Sequence, residues 1–300
     1  MATPATNLAL DTRPLVNPDG SSCFGVEVAG LDLTALSAEA LDALAALWSD
    51  EPLVLMRGQL LDERSLMDLS SHFGALEVVV RKDIHSPYHP EIAFVSNLYL
   101  EDGTNIGGLG NYELRWHTDQ SYRVRPATGA VFFAVEVPPE GGNTRWLNTV
   151  MAYEALPADV KAEIDDRRGC FAYQMYNTDI QEADAVSDIR GRTPDALHPL
   201  VLRHPVTGTK SLYFDPTQTF AIEGLSAERS DELVAFLSEH LVNPAWMQEH
   251  IWRMGDVMMW DNARLLHSRR EFDMRYPRLA KRTTIFLRDD LFPLPAADAA

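Results

Sequence analysis

The chain keeps producing short runs of β-branched and aromatic residues, past residue 90 with no helix set regularly between them, and this limits the folds open to it. The runs are PLVLM at 52–56, EVVV at 77–80, IAFVS at 92–96, AVFFAVEV at 130–137, SLYF at 211–214, DVMMW at 256–260 and TTIFL at 283–287. Their length and composition predict strands. Four amphipathic segments predict helices, at 37–49, 61–73, 157–167 and 226–241. In the first, Ser37 can cap a face made of Leu41, Leu44, Leu47 and Trp48. A doubly wound parallel sheet needs strand and helix to alternate throughout, so the pattern predicts an α+β chain: an antiparallel sandwich or barrel with helices on one side. With 300 residues, 46% of them hydrophobic, one large core is affordable, and no linker or repeat divides it. The expectation is a single domain over 1–300.

Charge and cysteine usage remove several function classes. A formal net charge of −18 repels phosphate polymers and anionic membranes, so nucleic acid and membrane partners are not expected. Cys23 and Cys170 are the two cysteines, too few for a disulfide framework or a four-cysteine zinc site. The first residues have neither a basic stretch nor a continuous apolar one, and the apolar run at 130–135 is far short of the roughly 20 residues that a membrane helix needs. A cytoplasmic protein with a small-molecule partner is the expectation. Gly103, Gly107, Gly108 and Gly110 fall within one short stretch, which reads either as a mobile lid over 97–113 or as a plain surface loop. The tail at 293–300 is rich in alanine and proline and reads as frayed.

The chemistry concentrates in WHTDQSY at 116–122. His117 and Asp119 are separated by one residue, so on an extended strand both side chains point to the same face. A second imidazole from elsewhere would complete a two-histidine, one-carboxylate set that leaves three coordination positions of ferrous iron open. Alone, such a tripeptide is weak evidence and is more often structural or a surface pair. The second imidazole is available as His267, directly after an apolar strand, in GDVMMWDNARLLHSRREF. Arg278 and Arg282 follow at an even offset, which puts both on one side of a regular strand. Two inward guanidiniums are costly without anions, and a dicarboxylate would supply them.

These residues together resemble the iron(II)- and 2-oxoglutarate-dependent dioxygenases of the taurine and 2,4-dichlorophenoxyacetate dioxygenase type, over most of the chain from Phe24 to Leu287. The resemblance rests on WHTD at 116–119, GGNTRW at 141–146, WDN at 260–262 before His267, the HP-containing segment at 198–212 and VAGLDL at 28–33. It implies a double-stranded β-helix, the cupin-like jelly roll, with flanking helices that brace one sheet. It also implies Fe(II) held by His117, Asp119 and His267, with 2-oxoglutarate and O2 as co-substrates. Thr144 and Arg278 match the residues that take the distal carboxylate of 2-oxoglutarate. Arg282 matches a position beside its metal-bound end or beside the substrate's anionic group. The implied reaction is hydroxylation of a small, anion-bearing molecule, or cleavage or desaturation that follows it, with release of succinate and CO2. Asp119 argues against halogenation, because halogenases of this kind lack the carboxylate.

On the substrate side the resemblance points to His85 or Tyr88, on an N-terminal loop, and Asn97 is a candidate by alternation beyond the 92–96 strand. Glu113 stands where taurine-specific members carry an amide that faces substrate; a carboxylate there would repel a sulfonate and suit an ammonium, hydroxyl or amide, unless it only braces the loop. Relatives are often dimers or tetramers, which leaves a homo-oligomer open. Two other classes remain: a non-catalytic sensor on the same fold, and a zinc hydrolase using the same three ligands to activate water. A sensor has no need of three open metal positions, and a hydrolase does not require a dicarboxylate clamp.

Overall fold

The computed structural model describes residues 8–79, 84–110, 112–173, 191 and 193–295. Two sheets carry the architecture. The larger has, in spatial order, Asp11–Pro14, Val26–Ala29, Leu53–Met56, Val257–Asp261, Gly129–Glu136, Leu279–Leu287 and Gly74–Leu76, with Ile92–Ser96 also paired to Leu279–Leu287. The smaller has Met247–His250, Thr144–Asn148, Leu265–Arg269 and Leu114–His117. From Leu114 onward the chain changes sheet at each step: 114–117 in the small sheet, 129–136 in the large, 144–148 in the small. After an insertion it repeats the pattern with 247–250, 257–261, 265–269 and 279–287. This crossing back and forth makes a double-stranded β-helix, a jelly-roll sandwich that does not close into a barrel.

Strand alternation sorts the core into layers. Val131 and Phe133 join Val54, Met56, Val257, Met259, Ile285 and Leu287 on the outer face of the large sheet, against Leu44, Trp48, Leu66, Leu69 and Phe73. Ala130, Phe132 and Ala134 point the other way, with Leu53, Leu55, Met258, Trp260 and Ala280, and meet Trp146 and Leu265 of the small sheet. Leu147 and Leu266 cover the outer face of the small sheet against Val160, Ile164, Leu233, Leu237 and Leu241. Helices therefore pack on both outer faces, not on one, because each sheet has a second apolar face to bury.

The four expected helices are present as Ala38–Asp50, Glu63–Ser71, Ala158–Ile164 and Ala227–Leu241, and the Ser37 hydroxyl accepts from Ala40 N–H at 3.1 Å as a cap. The expected strand at 77–80 is displaced to Gly74–Leu76. Glu77 still donates its N–H to the Thr284 carbonyl at 2.8 Å, but its side chain turns to Arg123; Val80 lies outside the described residues. Within the expected frayed tail, 296–300 also lie outside them. No helix among the described residues is long and apolar enough to cross a membrane.

Leu44 has no exposed surface and ties the first helix to the large sheet. Leu44→Ala should cost about 3 kcal/mol in urea unfolding and leave metal affinity of the folded protein unchanged.

Candidate active site

The strand Leu114–His117 runs antiparallel to Leu265–Arg269, with His117 directly opposite His267. Opposed residues point to the same face, so both imidazoles enter the space between the sheets; their ring centroids are 4.1 Å apart. Asp119 follows just past the strand end. One donor atom from each of His117, Asp119 and His267 lies within 4.8 Å of the others.

Each donor is prepared by its surroundings. His117 Nδ1 is 2.8 Å from the Arg115 carbonyl, which sets the proton on Nδ1 and leaves the Nε2 lone pair for a metal. Burial, with His117 and Arg282 nearby, pushes His267 down to about 3 against the pull of Asp119, so it stays a neutral ligand at ordinary pH. Burial alone would raise Asp119, but Arg282, the two imidazoles and Asn262 hold it well below the usual carboxylate range. Arg282 Nη1 lies 3.3 Å from both Asp119 oxygens, and Asn262 Nδ2 donates to Oδ2 at 3.3 Å. Two imidazoles and an ionised carboxylate with positions left open are a donor set for a divalent transition metal, so these residues fit one.

The turn that carries Asp119 is clamped from outside the site. Thr118 N–H and the Ser121 hydroxyl both donate to Asp215 Oδ2, at 3.2 and 2.8 Å, while Thr217 donates to Oδ1 through its N–H and hydroxyl, at 2.8 and 2.7 Å. Four donors on two oxygens suit a carboxylate and nothing else of that size. Gln120 has φ +59°, in the left-handed region, and is held there by Glu77, which accepts from its amide, and by Ala127 N–H, which donates to its Oε1 at 3.3 Å. Neither Asp215 nor Glu77 was foreseen from sequence. Asp215-Pro216-Thr217 carries only the mark of a local turn, and nothing in it points to residue 118.

A second feature lies on the same inner face. Arg278 is buried, its backbone N–H donates to Asn97 Oδ1 at 2.8 Å, and Nη1 donates to the Gly142 carbonyl at 2.8 Å. Gly142 has φ +65°, and a Cβ there would stand 2.1 Å from Arg278 Nη1, so glycine is required for the approach. Burial, then the nearby Arg269, push Arg278 down to about 9; burial pushes Arg269 down to about 10. Thr144 is opposed to Arg269 across the strands, and its hydroxyl accepts from Trp252 Nε1 at 2.9 Å.

The sequence-predicted residues separate into two groups. His117, Asp119, His267 and Arg282 come together, and Arg278 reaches the backbone two residues before Thr144. His85 pairs with Ala93, which is opposite Arg282, so its side chain shares the inner face. The expectations for Tyr88, Asn97 and Glu113 need correction. Tyr88 is 82% exposed, turned outward by a bend in which its N–H and that of His89 donate to Ser86 Oγ. Asn97 spends its side chain on backbone, donating to the Met274 and Tyr276 carbonyls at 3.3 and 3.0 Å and accepting from Arg278 N–H, so it positions Arg278. Glu113 pairs with Arg145, which lies over the Trp116 ring and bonds Ser268 on the outer face of the small sheet. A bulge is the reason: His267 faces His117 but Arg269 faces Leu114, so one extra residue reverses the alternation before Glu113 is reached. In the 97–113 segment, Ile106 and Leu109 N–H groups donate to the Leu98 and Ser96 carbonyls; Asn111 lies outside the described residues.

Comparison with known proteins gives concordant findings. A family model described as taurine catabolism dioxygenase TauD, TfdA family matches residues 11–284. The chain is 30% identical over 297 residues to pentalenolactone F synthase of Streptomyces avermitilis, covering 93% of this chain and 96% of that one. It is 30% identical over 277 residues to the alpha-ketoglutarate-dependent 2,4-dichlorophenoxyacetate dioxygenase of Cupriavidus pinatubonensis, covering 87% and 94%. A crystal structure of a taurine dioxygenase from Burkholderia xenovorans superposes with a TM-score of 0.76 at 27% identity, over 96% of this chain and 94% of the other.

Two outcomes follow for the metal-free protein. Because His267 stays neutral when folded but takes a proton near 6.5 when unfolded, it costs stability as pH falls below that value. The stability of wild type relative to His267→Gln should drop by about 1.4 kcal/mol per pH unit between pH 6 and 4 in denaturant titrations; a constant difference would refute the neutral assignment. Asp215→Asn presents an NH2 to two of the four donors, so it should lose about 2 kcal/mol and bind Co(II) about ten-fold more weakly once folded, read by anaerobic spectroscopic titration.

Proposed function

The chain belongs to the TauD, TfdA family and is an iron(II)- and 2-oxoglutarate-dependent dioxygenase, and from that premise we propose that His117, Asp119 and His267 hold the iron while Arg278 and Thr144 take the distal carboxylate of 2-oxoglutarate. Bound iron, with 2-oxoglutarate and oxygen, supplies the oxidising chemistry that couples formation of succinate and CO2 to hydroxylation of an organic substrate. The observation that carries the assignment is the pairing of opposed imidazoles and a carboxylate with a buried guanidinium that has no carboxylate of its own among the described residues.

The protein's own groups divide the work. Trp252 N–H occupies a lone pair of the Thr144 hydroxyl, which leaves the hydroxyl proton to donate to a carboxylate. Arg278 gives that carboxylate a counter-charge in a water-poor place, where it counts most. Arg282 shares Asp119 with the imidazoles; with Asp119 serving as a ligand, the Arg282 guanidinium would be placed to hold an anionic substrate. His85, on the same row of the sheet, lies on the substrate side of Arg282. An anionic substrate also suits the relative named for 2,4-dichlorophenoxyacetate, a carboxylate. Glu113 faces outward with Arg145, so its charge is no objection to a sulfonate or sulfate ester. The 97–113 segment serves as a lid, resting its Gly110 and Tyr112 carbonyls on Arg269. A cytoplasmic setting suits the two free thiols, Cys23 and Cys170.

A zinc hydrolase has no use for the buried arginine pocket, and a sensor has no use for metal positions left open. The test is anaerobic addition of Fe(II) and 2-oxoglutarate to purified protein, following the visible charge-transfer band, and then succinate release on aeration with candidate anionic substrates. His117→Ala should abolish succinate formation. Arg278→Met should raise the 2-oxoglutarate requirement by at least about ten-fold, and much more than the substrate requirement. An unchanged 2-oxoglutarate requirement in that variant would remove Arg278 from its role.

A further inference from the structure

We propose that Arg269 is a second cationic residue of the co-substrate pocket, acting beside Arg278 on the distal carboxylate of 2-oxoglutarate. The inference rests on the reading above, in which Arg278 takes that carboxylate. Arg269 stands two residues beyond His267 on the same strand and directly opposite Thr144, so strand alternation sends its side chain between the sheets with theirs. It is 6% exposed, and Arg278 is 2% exposed. The guanidinium carbons of Arg269 and Arg278 lie 5.3 and 5.5 Å from the centre of one ring, that of Phe272, so both cations are gathered at a single aromatic side chain.

Their hydrogen bonds leave the charge unbalanced. Arg269 Nη2 donates to the Gly110 and Tyr112 carbonyls at 3.0 and 2.7 Å, and Nη1 to the Arg270 carbonyl at 3.3 Å. Carbonyls solvate a cation without neutralising it. The Nε atoms of both arginines are buried with no partner, and no carboxylate comes within ion-pair distance of either among the described residues. Two buried like charges with unused donors repel one another, and an anion beside both relieves the repulsion and satisfies the donors together. By contrast Arg282 already has Asp119. A role as a mere brace for Gly110 and Tyr112 would use the Nη donors alone and would have no need of charge.

The distal carboxylate itself provides the test. In Mn(II)-loaded protein without oxygen, affinities for 2-oxoglutarate and for 2-oxopentanoate, the same keto acid without the distal carboxylate, are measured by calorimetry for wild type and for Arg269→Met, Arg269→Gln and Arg269→Lys. Arg269→Met and Arg269→Gln should weaken 2-oxoglutarate roughly ten-fold and leave 2-oxopentanoate within about two-fold, while Arg269→Lys keeps most of the preference. Equal loss for both ligands, or loss for neither, would overturn the proposal and leave Arg269 as a brace. Should Arg269→Met fail to fold, the Gln and Lys pair decides, since Gln keeps an amide donor for the carbonyls and Lys keeps the charge. Arg278→Met is the control for the underlying reading: if it retains the preference for 2-oxoglutarate, that reading fails whatever Arg269 does.

Discussion

The register in which Leu114–His117 lies against Leu265–Arg269 decides whether this molecule has a candidate metal site at all. His117 and His267 come from strands far apart in sequence, and only their direct opposition sends both imidazoles to the same face. A slip of one residue would bring Trp116 or Thr118 opposite His267 and turn one imidazole away. Outer-face packing holds that register: Trp116, next to His117 on its strand, packs into the same cluster as Leu266 and Leu147, behind the small sheet. Apolar burial on one face thus sets the position of polar groups on the other. The sheet can carry a costly inner face because its outer face is conventional core.

That inner face is costly because it is over-supplied with positive charge. Arg269, Arg278 and Arg282 all point inward, and Asp119 answers only Arg282. Burial lowers the proton affinity of Arg269 and Arg278 without bringing either into the range where it would give up its proton at neutral pH. A divalent metal adds to this excess, and a dianionic co-substrate and an anionic substrate subtract from it. The chain as a whole carries a net charge of the opposite sign, −18. Anion binding here is therefore a property of a small enclosed region and cannot be read from the charge of the whole chain.

Much of this was legible in sequence, and the parts that were not share a physical cause. The large-sheet strands are apolar on both faces, as in PLVLM, AVFFAVEV and DVMMW, and so declare themselves locally. The small-sheet strands LRWH, TRWLN and LLHSR do not, because His117, Thr144, His267 and Arg269 put imidazole, hydroxyl and guanidinium at inward positions. The residues that make the site chemical hide the strands that hold it. His117 and Asp119 stand out by their spacing and Arg282 by its even offset from Arg278, whereas His267 is singled out by the apolar strand before it and by the resemblance around WDN at 260–262; the structure brings His117, Asp119 and His267 together. Glu113 was not, since counting faces back from His117 assumes a regular strand and the bulge breaks it. Asp215 and Glu77 act across long sequence separations on backbone and hydroxyl groups that have no individual signature.

The clamps at Asp215 and Glu77 also explain how a strand end can serve as a metal ligand. His117 is inside the sheet and inherits its rigidity from the ladder, whereas Asp119 lies beyond the last pair and has no ladder to hold it. A carboxylate on a free turn would follow Arg282 wherever its long side chain moved. With Thr118 and Ser121 fixed by Asp215, and Gln120 held at positive φ by Glu77 and Ala127, the backbone on either side of Asp119 is set by groups outside the site. Arg282 and Asn262 then choose only the rotation of the carboxylate. Backbone placement and side-chain orientation are thereby assigned to different residues, so the charge on Asp119 can pass from Arg282 to a metal without moving the strand that carries it.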